Sequence, residues 1–223
     1  MITVHHLNNS RSQRILWMLE EVGAEYEIKK YERNKQTMRA PDTLKAVHPL
    51  GKSPVISDGN IVVAESGAIV EYLIDTYGPQ LRPERGTPAY RDYLYWLHFA
   101  EGTAMPPLLV RLVTGQIRSA KAPFFVKPIA RTIADRLDKS FVDPELGKLF
   151  GYIEEYLSTR DWFAGDSLSG ADIQMSFPLE AASARGGLDA RYPSIQAWLQ
   201  RIHARPAYER ALERGGAYGI VGS

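Results

Sequence analysis

The sequence predicts a small α/β domain followed by an all-helical domain, and three observations carry that expectation. Short alternating or β-branched runs lie early in the chain, interleaved with helical periodicities. The stretch "GPQLRPERGTP" at 78–88, rich in Pro, Gly and charge, then interrupts the pattern as a linker between domains would. No convincing strand follows it, and the apolar spacing from there on is helical.

Taken in order, "ITVHHL" alternates as a strand, with Ile2, Val4 and His6 on one side and Thr3, His5 and Leu7 on the other. "RILWMLEEVG" places Ile15, Leu19 and Val22 at helical spacing and ends on Gly23 as a C′ stop. "YEIKKY" is a second strand, and a loop containing Pro41 leads onward through a short helical piece. "PVISDGNIVVA" is a hairpin, two β-branched runs around "SDGN". Ala68–Tyr77 is a helix closed by Gly78, in which Ile69 pairs with Leu73 and Val70 with Ile74. The order β-α-β-α-β-β-α spans residues 1–78, and the helical domain spans 89–223. Its first helix, Tyr90–Val113, should bend at "MPP", 105–107. Further helices are expected at Phe125–Phe141, Pro144–Ser158, Ala171–Ser183, Pro193–Ala204 and in "RPAYERALERG".

Composition removes several function classes. In 223 residues, 27 Lys and Arg face 26 Asp and Glu, so no single-sign field draws in nucleic acid or an anionic membrane. The densest basic run, "KKYERNKQTMR" at 29–39, contains Glu32 and has no aromatic face beyond Tyr31, as expected of a solvated loop. Cysteine is absent, which excludes disulfides, thiolate metal sites and a cysteine nucleophile. The five histidines lack the paired spacing of a metal site, and neighbours such as His5 and His6 point to opposite faces of a strand. "MITVHHL" shows no signal peptide and no apolar run is long enough to span a bilayer, so a soluble cytoplasmic protein is expected.

Three stretches carry chemistry. Asn8 to Ser12 crowd polar side chains onto the start of an apolar helix. Ser10 or Asn9 as a cap accounts for one of them; the others lie where a helix dipole stabilises an anion, a thiolate included. In "GKSPV", a proline entering a strand is either a trans edge residue or a cis Ser53–Pro54 bond that frees the Ser53 backbone to pair with an extended peptide. In "VVAESGAIVEYL", Ser66 caps a helix by default, yet the same corner exposes N–H groups to a carboxylate while Glu65 beside it suits an ammonium. Adjacent anion and cation sites fit an α-amino-acid head group.

"SRSQRILWMLEEVG", "HPLGKSPV", "AESGAIVEYL" and, far downstream, "FAGDSLSGADI" occur in that order. Together they resemble the cytosolic glutathione transferases, most nearly the bacterial and fungal Gtt-type group. The resemblance covers nearly the whole chain. It implies a thioredoxin-like first domain, a homodimer, and attack of the glutathione thiolate on an apolar electrophile, with glutathione as substrate and no metal or organic cofactor. Carried onto this sequence, Ser53 with cis Pro54 would bind the cysteinyl backbone, Glu65 and Ser66 the γ-glutamyl amine and carboxylate, and Lys52 the glycine carboxylate or nearby backbone. Ser10 matches the sulfur-facing serine of serine-type classes; Asn9 competes because registers differ by a residue, and Arg11 through its fixed charge. The tyrosine of other classes has no counterpart, since the first strand carries His5, His6 and Leu7.

The family's acceptor pocket lies between the helix at 90–113 and the first domain, which brings in His98, Glu101, Met105 and Phe124, although His98 and Glu101 are more simply a structural pair. Tyr95, Phe99, Leu109 and Phe125 are further aromatic and aliphatic candidates, most of them core by spacing. "TGQIRSAKAPFF", 114–125, reads as a mobile flap. Ser169 and Asp172 in "SLSGADI" form a capping box with a folding role alone. Two other functions stay open: a glutathione-dependent disulfide or hydroperoxide reductase, marked by oxidised glutathione as product, and a non-catalytic glutathione- or ligand-binding module.

Overall fold

The computed structural model describes residues 1–34, 37 and 39–220. Positions 35, 36 and 38 of the basic run lie outside the described residues, as do 221–223. Strands β1 (Ile2–Leu7), β2 (Tyr26–Tyr31), β3 (Val55–Asp58) and β4 (Ile61–Ala64) form one mixed sheet in the order β2-β1-β3-β4. β1 and β2 are parallel, joined by the crossover helix α1 (Ser12–Val22), which Gly23 ends in the left-handed conformation at φ 65°. β3 pairs antiparallel with β1 and with β4, turning at Gly59, φ 57°, where the hairpin signal stands.

Between β2 and β3 the expected helical piece is one 3-10 turn, Asp42–Leu44. Only Leu44 is buried there, against Leu7 and Tyr31. A single apolar anchor offers no stripe for a full helix to bury. Helix α2 (Ser66–Tyr77) follows β4 and stops where the Gly78 N–H donates to Leu73 O and Ile74 O.

The second domain opens with α3 (Pro88–Phe99), capped by Thr87, whose Oγ1 accepts from the Tyr90 N–H at 3.2 Å. A wider π turn over Ala100–Ala104 joins it to α4 (Met105–Ser119). Pro106 and Pro107 have no N–H to donate backward, and the π turn falls just ahead of them. α4 runs on to Ser119, which makes the first half of the expected flap helical. α5 (Lys127–Leu137) passes through a second π turn, Asp138–Val142, into α6 (Asp143–Leu157), again ahead of a proline, Pro144. Phe125 lies before α5, which Pro128 opens. α7 (Gly170–Ala181), α8 (Pro193–His203) and α9 (Pro206–Gly215) complete the order. No described helix is long and apolar enough to cross a membrane.

Every residue of α1 from Ser12 to Leu19 is buried. The sheet covers one side of this helix, and α7 and α9 cover the other. One hydrophobic core therefore runs through both domains, from Ile2 and Val4 in β1 to Trp198 and Tyr208 in α8 and α9. The approach is close: a Cβ on Gly170, the first residue of α7, would lie 2.7 Å from Ile74 Cδ1.

The capping box holds α7 in that position. Ser169 Oγ accepts from the Ala171 N–H at 3.2 Å, and Asp172 Oδ2 accepts from the Ser169 N–H at 2.9 Å. Asp172 Oδ1 also accepts from the Phe163 N–H at 3.0 Å and from Trp198 Nε1 at 3.1 Å. Burial pushes this carboxyl up to about 6, against the pull of those donors. Asp172→Ala strands four buried donors, the Ser169 hydroxyl included, each worth roughly 1–3 kcal/mol. Urea denaturation should show a stability loss of about 3 kcal/mol or more.

Candidate active site

Two hollows meet at the start of α1. The first, about 220 Å³, is lined by Lys52, Ser53, Pro54, Glu65 and Ser66, with Arg11 and Glu101 at its inner side. The second, about 380 Å³, lies among the start of α1, α4, α7 and the C-terminal segment, with Asn9, Ser10, Met105, Leu108 and Phe177 in its wall. Arg11 and Ser53 line both. Of the sequence candidates, Leu109 also borders the second hollow.

His98 and Phe124 line neither. Glu101, in the π turn, faces Arg11 while His98, near the end of α3, is solvent-exposed, and the expected His98–Glu101 pair does not form. Phe124 is 84 % exposed beyond the end of α4, stacked edge-on against Phe125. Tyr95 and Phe99 pack around Trp96 instead, with ring centroids 5.1 and 4.8 Å from it.

In the first hollow the Ser53–Pro54 bond is cis, immediately before β3 begins. Glu65 closes the corner from β4 into α2 at φ 70°, ψ 127°, a conformation that costs a non-glycine residue on the order of 1–3 kcal/mol. Its side chain is exposed at the hollow. Glu65 also takes the N-cap position, so Ser66 is the first residue of α2 and makes no capping bond. A cap needs extended backbone, and Ser66 is already helical. The first-turn N–H groups of α2 thus stay available beside a buried hydroxyl and an exposed carboxylate.

At the start of α1 the N-cap position falls on Arg11, which makes no side-chain capping bond, and Ser10, one residue earlier, has its Oγ accept from the Ser12 N–H at 3.2 Å. It also belongs to a chain of polar groups leading inward. Ser53 Oγ lies 3.4 Å from Ser10 Oγ, Ser10 Oγ 2.8 Å from Ser12 Oγ, and Ser12 Oγ 2.8 Å from His6 Nδ1. Burial, and then Lys30, push His6 down to about 4, so its ring is neutral near pH 7. His5 faces the other side of β1, bonded to the Tyr31 hydroxyl and to Ser57. Asn9 has a left-handed backbone, φ 49°, which Asn tolerates better than most residues. Its Oδ1 accepts from the Gly219 N–H at 2.7 Å, which leaves the amide NH₂ as the open end.

Glu101 ties the domains together at this point. Arg11 Nε lies 3.0 Å from both of its oxygens, and the buried Arg14 pairs with Oε1 while donating to Gln174 O at 2.6 Å. Both guanidiniums sit over the Phe177 ring, 5.1 and 5.7 Å from its centroid. Burial raises the Glu101 pKa, but Arg14 and Arg11 outweigh it and the net direction is downward. Arg14, Phe177 and Gly219 were not among the sequence candidates; the spacing of Arg14, one turn past Arg11 inside an apolar run, was the one signal for them.

Glu101→Ala leaves Arg14 charged and buried without a counter-ion, and should cost about 3 kcal/mol of stability. A carboxylate with a lowered pKa stabilises above its ordinary value of 4.5, and that contribution is lost as pH falls through the lower folded value. Denaturation measured from pH 7 down to pH 3 should therefore show a shallower acid loss in Glu101→Gln than in the wild type.

Residues 1–75 match the family model described as "Glutathione S-transferase, N-terminal domain", and residues 119–206 match the corresponding C-terminal domain. Glutathione S-transferase 3 of Schizosaccharomyces pombe is 36% identical over 215 residues, covering 96% of this chain and 88% of that protein. Glutathione S-transferase 1 of Saccharomyces cerevisiae is 33% identical over 228 residues, covering 98% and 97%. A crystal structure of a glutathione S-transferase from Actinobacillus pleuropneumoniae matches with a TM-score of 0.76 at 34% identity, covering 98% of this chain and 94% of that one. With both halves of the fold and nearly its full length matched, this chain belongs to the glutathione S-transferase family.

Proposed function

We propose that this protein conjugates glutathione to electrophiles, holding the tripeptide in the first hollow and its sulfur at the junction with the second. The observation that carries this reading is the meeting of the two hollows at Arg11 and Ser53, beside the start of α1. In this reading the backbone beside cis Pro54 pairs with the cysteinyl residue, Glu65 takes the γ-glutamyl ammonium, and Ser66 with the first N–H groups of α2 takes its carboxylate. Lys52 meets the glycine carboxylate.

A free thiol of pKa about 8.5 is only a few per cent ionised at pH 7, so the site must stabilise the thiolate. Asn9 is the donor best placed for it. The single Ser12 hydroxyl proton has His6 Nδ1 and, at 3.3 Å, Leu7 O as acceptors, so Ser10 gives its own proton to Ser12. Arg11 has its Nε engaged by Glu101. The Asn9 amide, turned by Gly219, presents N–H outward. Once ionised, the sulfur attacks an acceptor held in the adjoining hollow, and proximity supplies much of the rate.

A homodimer belongs to the same proposal. Its support is an apolar hollow of about 390 Å³ facing outward between the α3–α4 join and α6, bordered by Phe141 and Tyr152, which are 48% and 44% exposed. Light scattering should return twice the chain mass.

Mixing the protein with glutathione and 1-chloro-2,4-dinitrobenzene should yield the thioether; oxidised glutathione as the main product would favour the reductase reading instead. Asn9→Ala should raise the pKa of bound glutathione by about one unit, read from thiolate absorbance against pH, and Ser10→Ala by less. Glu65→Gln should raise KM for glutathione by roughly tenfold, the loss of a charge-assisted contact.

A further inference from the structure

The second hollow is not the purely apolar pocket that α4 and α7 alone would make. Four guanidinium side chains border it, each from a different place in the chain: Arg11 before α1, Arg33 after β2, Arg111 in α4 and Arg185 in the π turn after α7. No Asp or Glu is among its lining residues. The chain as a whole is balanced at 27 basic against 26 acidic residues, so composition does not account for this asymmetry. The remaining wall is mostly apolar, with Leu108 and Phe177 prominent.

The four cations differ in their surroundings. Arg11 is held by Glu101, and Arg111 by Asp138 and Asp143, outside the lining. Arg33 donates to the Asn9 carbonyl at 3.5 Å. Arg185 is exposed and forms no salt bridge among the described residues. Burial, and then the charge of Arg11, push the Arg33 pKa downward, so an anion placed beside Arg33 in the cavity offsets that cost. Such a cavity also concentrates anions before they bind.

We infer that the acceptor of this enzyme is an anionic electrophile, whose apolar body lies against Leu108 and Phe177 and whose carboxylate meets Arg33 and Arg185. The inference rests on the transferase reading and narrows its substrate class. The bond change is ordinary substitution: the thiol proton leaves to solvent, sulfur bonds to the electrophilic carbon, and the leaving group departs with its electron pair. For an aryl chloride, glutathione thiolate plus aryl chloride gives the thioether plus chloride, and the carboxylate is unchanged.

The test uses two probes of the same chemistry, 4-chloro-3,5-dinitrobenzoate and the neutral 1-chloro-2,4-dinitrobenzene. Each kcat/KM is divided by the spontaneous rate with free glutathione under the same conditions. At low salt the normalised value should favour the carboxylate by about tenfold, and its KM alone should climb steeply with ionic strength. Arg185→Gln should reduce the preference roughly fivefold, as should Arg33→Gln, with Arg185→Lys retaining most of it. Equal normalised values, or a preference that survives both glutamine variants, overturns the inference while leaving the transferase reading intact. Turnover of neither probe overturns both.

Discussion

Helix α1 is enclosed on both sides, by the sheet and by α7 and α9, and the rest of the molecule is arranged around that enclosure. A helix buried all round normally carries only apolar side chains, yet this one begins with Ser12, Gln13 and Arg14, all buried. The protein satisfies Ser12 and most of Arg14, while the Gln13 amide has no hydrogen-bond partner among the described residues. Ser12 finds His6, Ser10 and the Leu7 carbonyl, and Arg14 finds the Gln174 carbonyl and Glu101. Those partners come from both domains, so the helix start is fixed in three dimensions before any ligand arrives. A thiolate site benefits from that fixity, because donors already held in place need no reorganisation when charge develops.

The second domain does more than cover the first. A π turn lies just ahead of its prolines in the helix that faces α1, and Glu101 in that turn meets the two arginines. Phe177 of α7 lies beneath both guanidiniums. The C-terminal segment supplies the Gly219 N–H that turns the Asn9 amide, and Tyr218 anchors that segment through its hydroxyl to the buried Glu180 carboxylate, which Tyr208 shares. The first hollow is thus built mainly by the first domain, and the second by parts of the chain that meet only after folding. The arginines of the second hollow, drawn from four separate segments, give it a charge character that no single segment has.

What the amino-acid sequence determined by itself is what local chemistry encodes. Gly23 ends α1 because it takes the left-handed conformation at low cost, "SDGN" turns the hairpin, and Ser169 with Asp172 starts α7. "GKSPV" and "AESG" stand out in the sequence, and their side chains line one hollow because they lie within a few residues of one another on a strand start and a helix start. Tertiary structure decided the rest. His98 and Glu101 share a sequence neighbourhood but not a partner: Glu101 is held by Arg11 and Arg14, which no pattern near it specifies, while His98 is exposed. Ser66 looks like a cap until the backbone of Glu65 takes that position. The contacts of Arg11 with Glu101 and of Gly219 with Asn9 join residues 90 and 210 positions apart. Periodicity reports which face of an element is apolar, and only packing determines which distant side chains that face will meet.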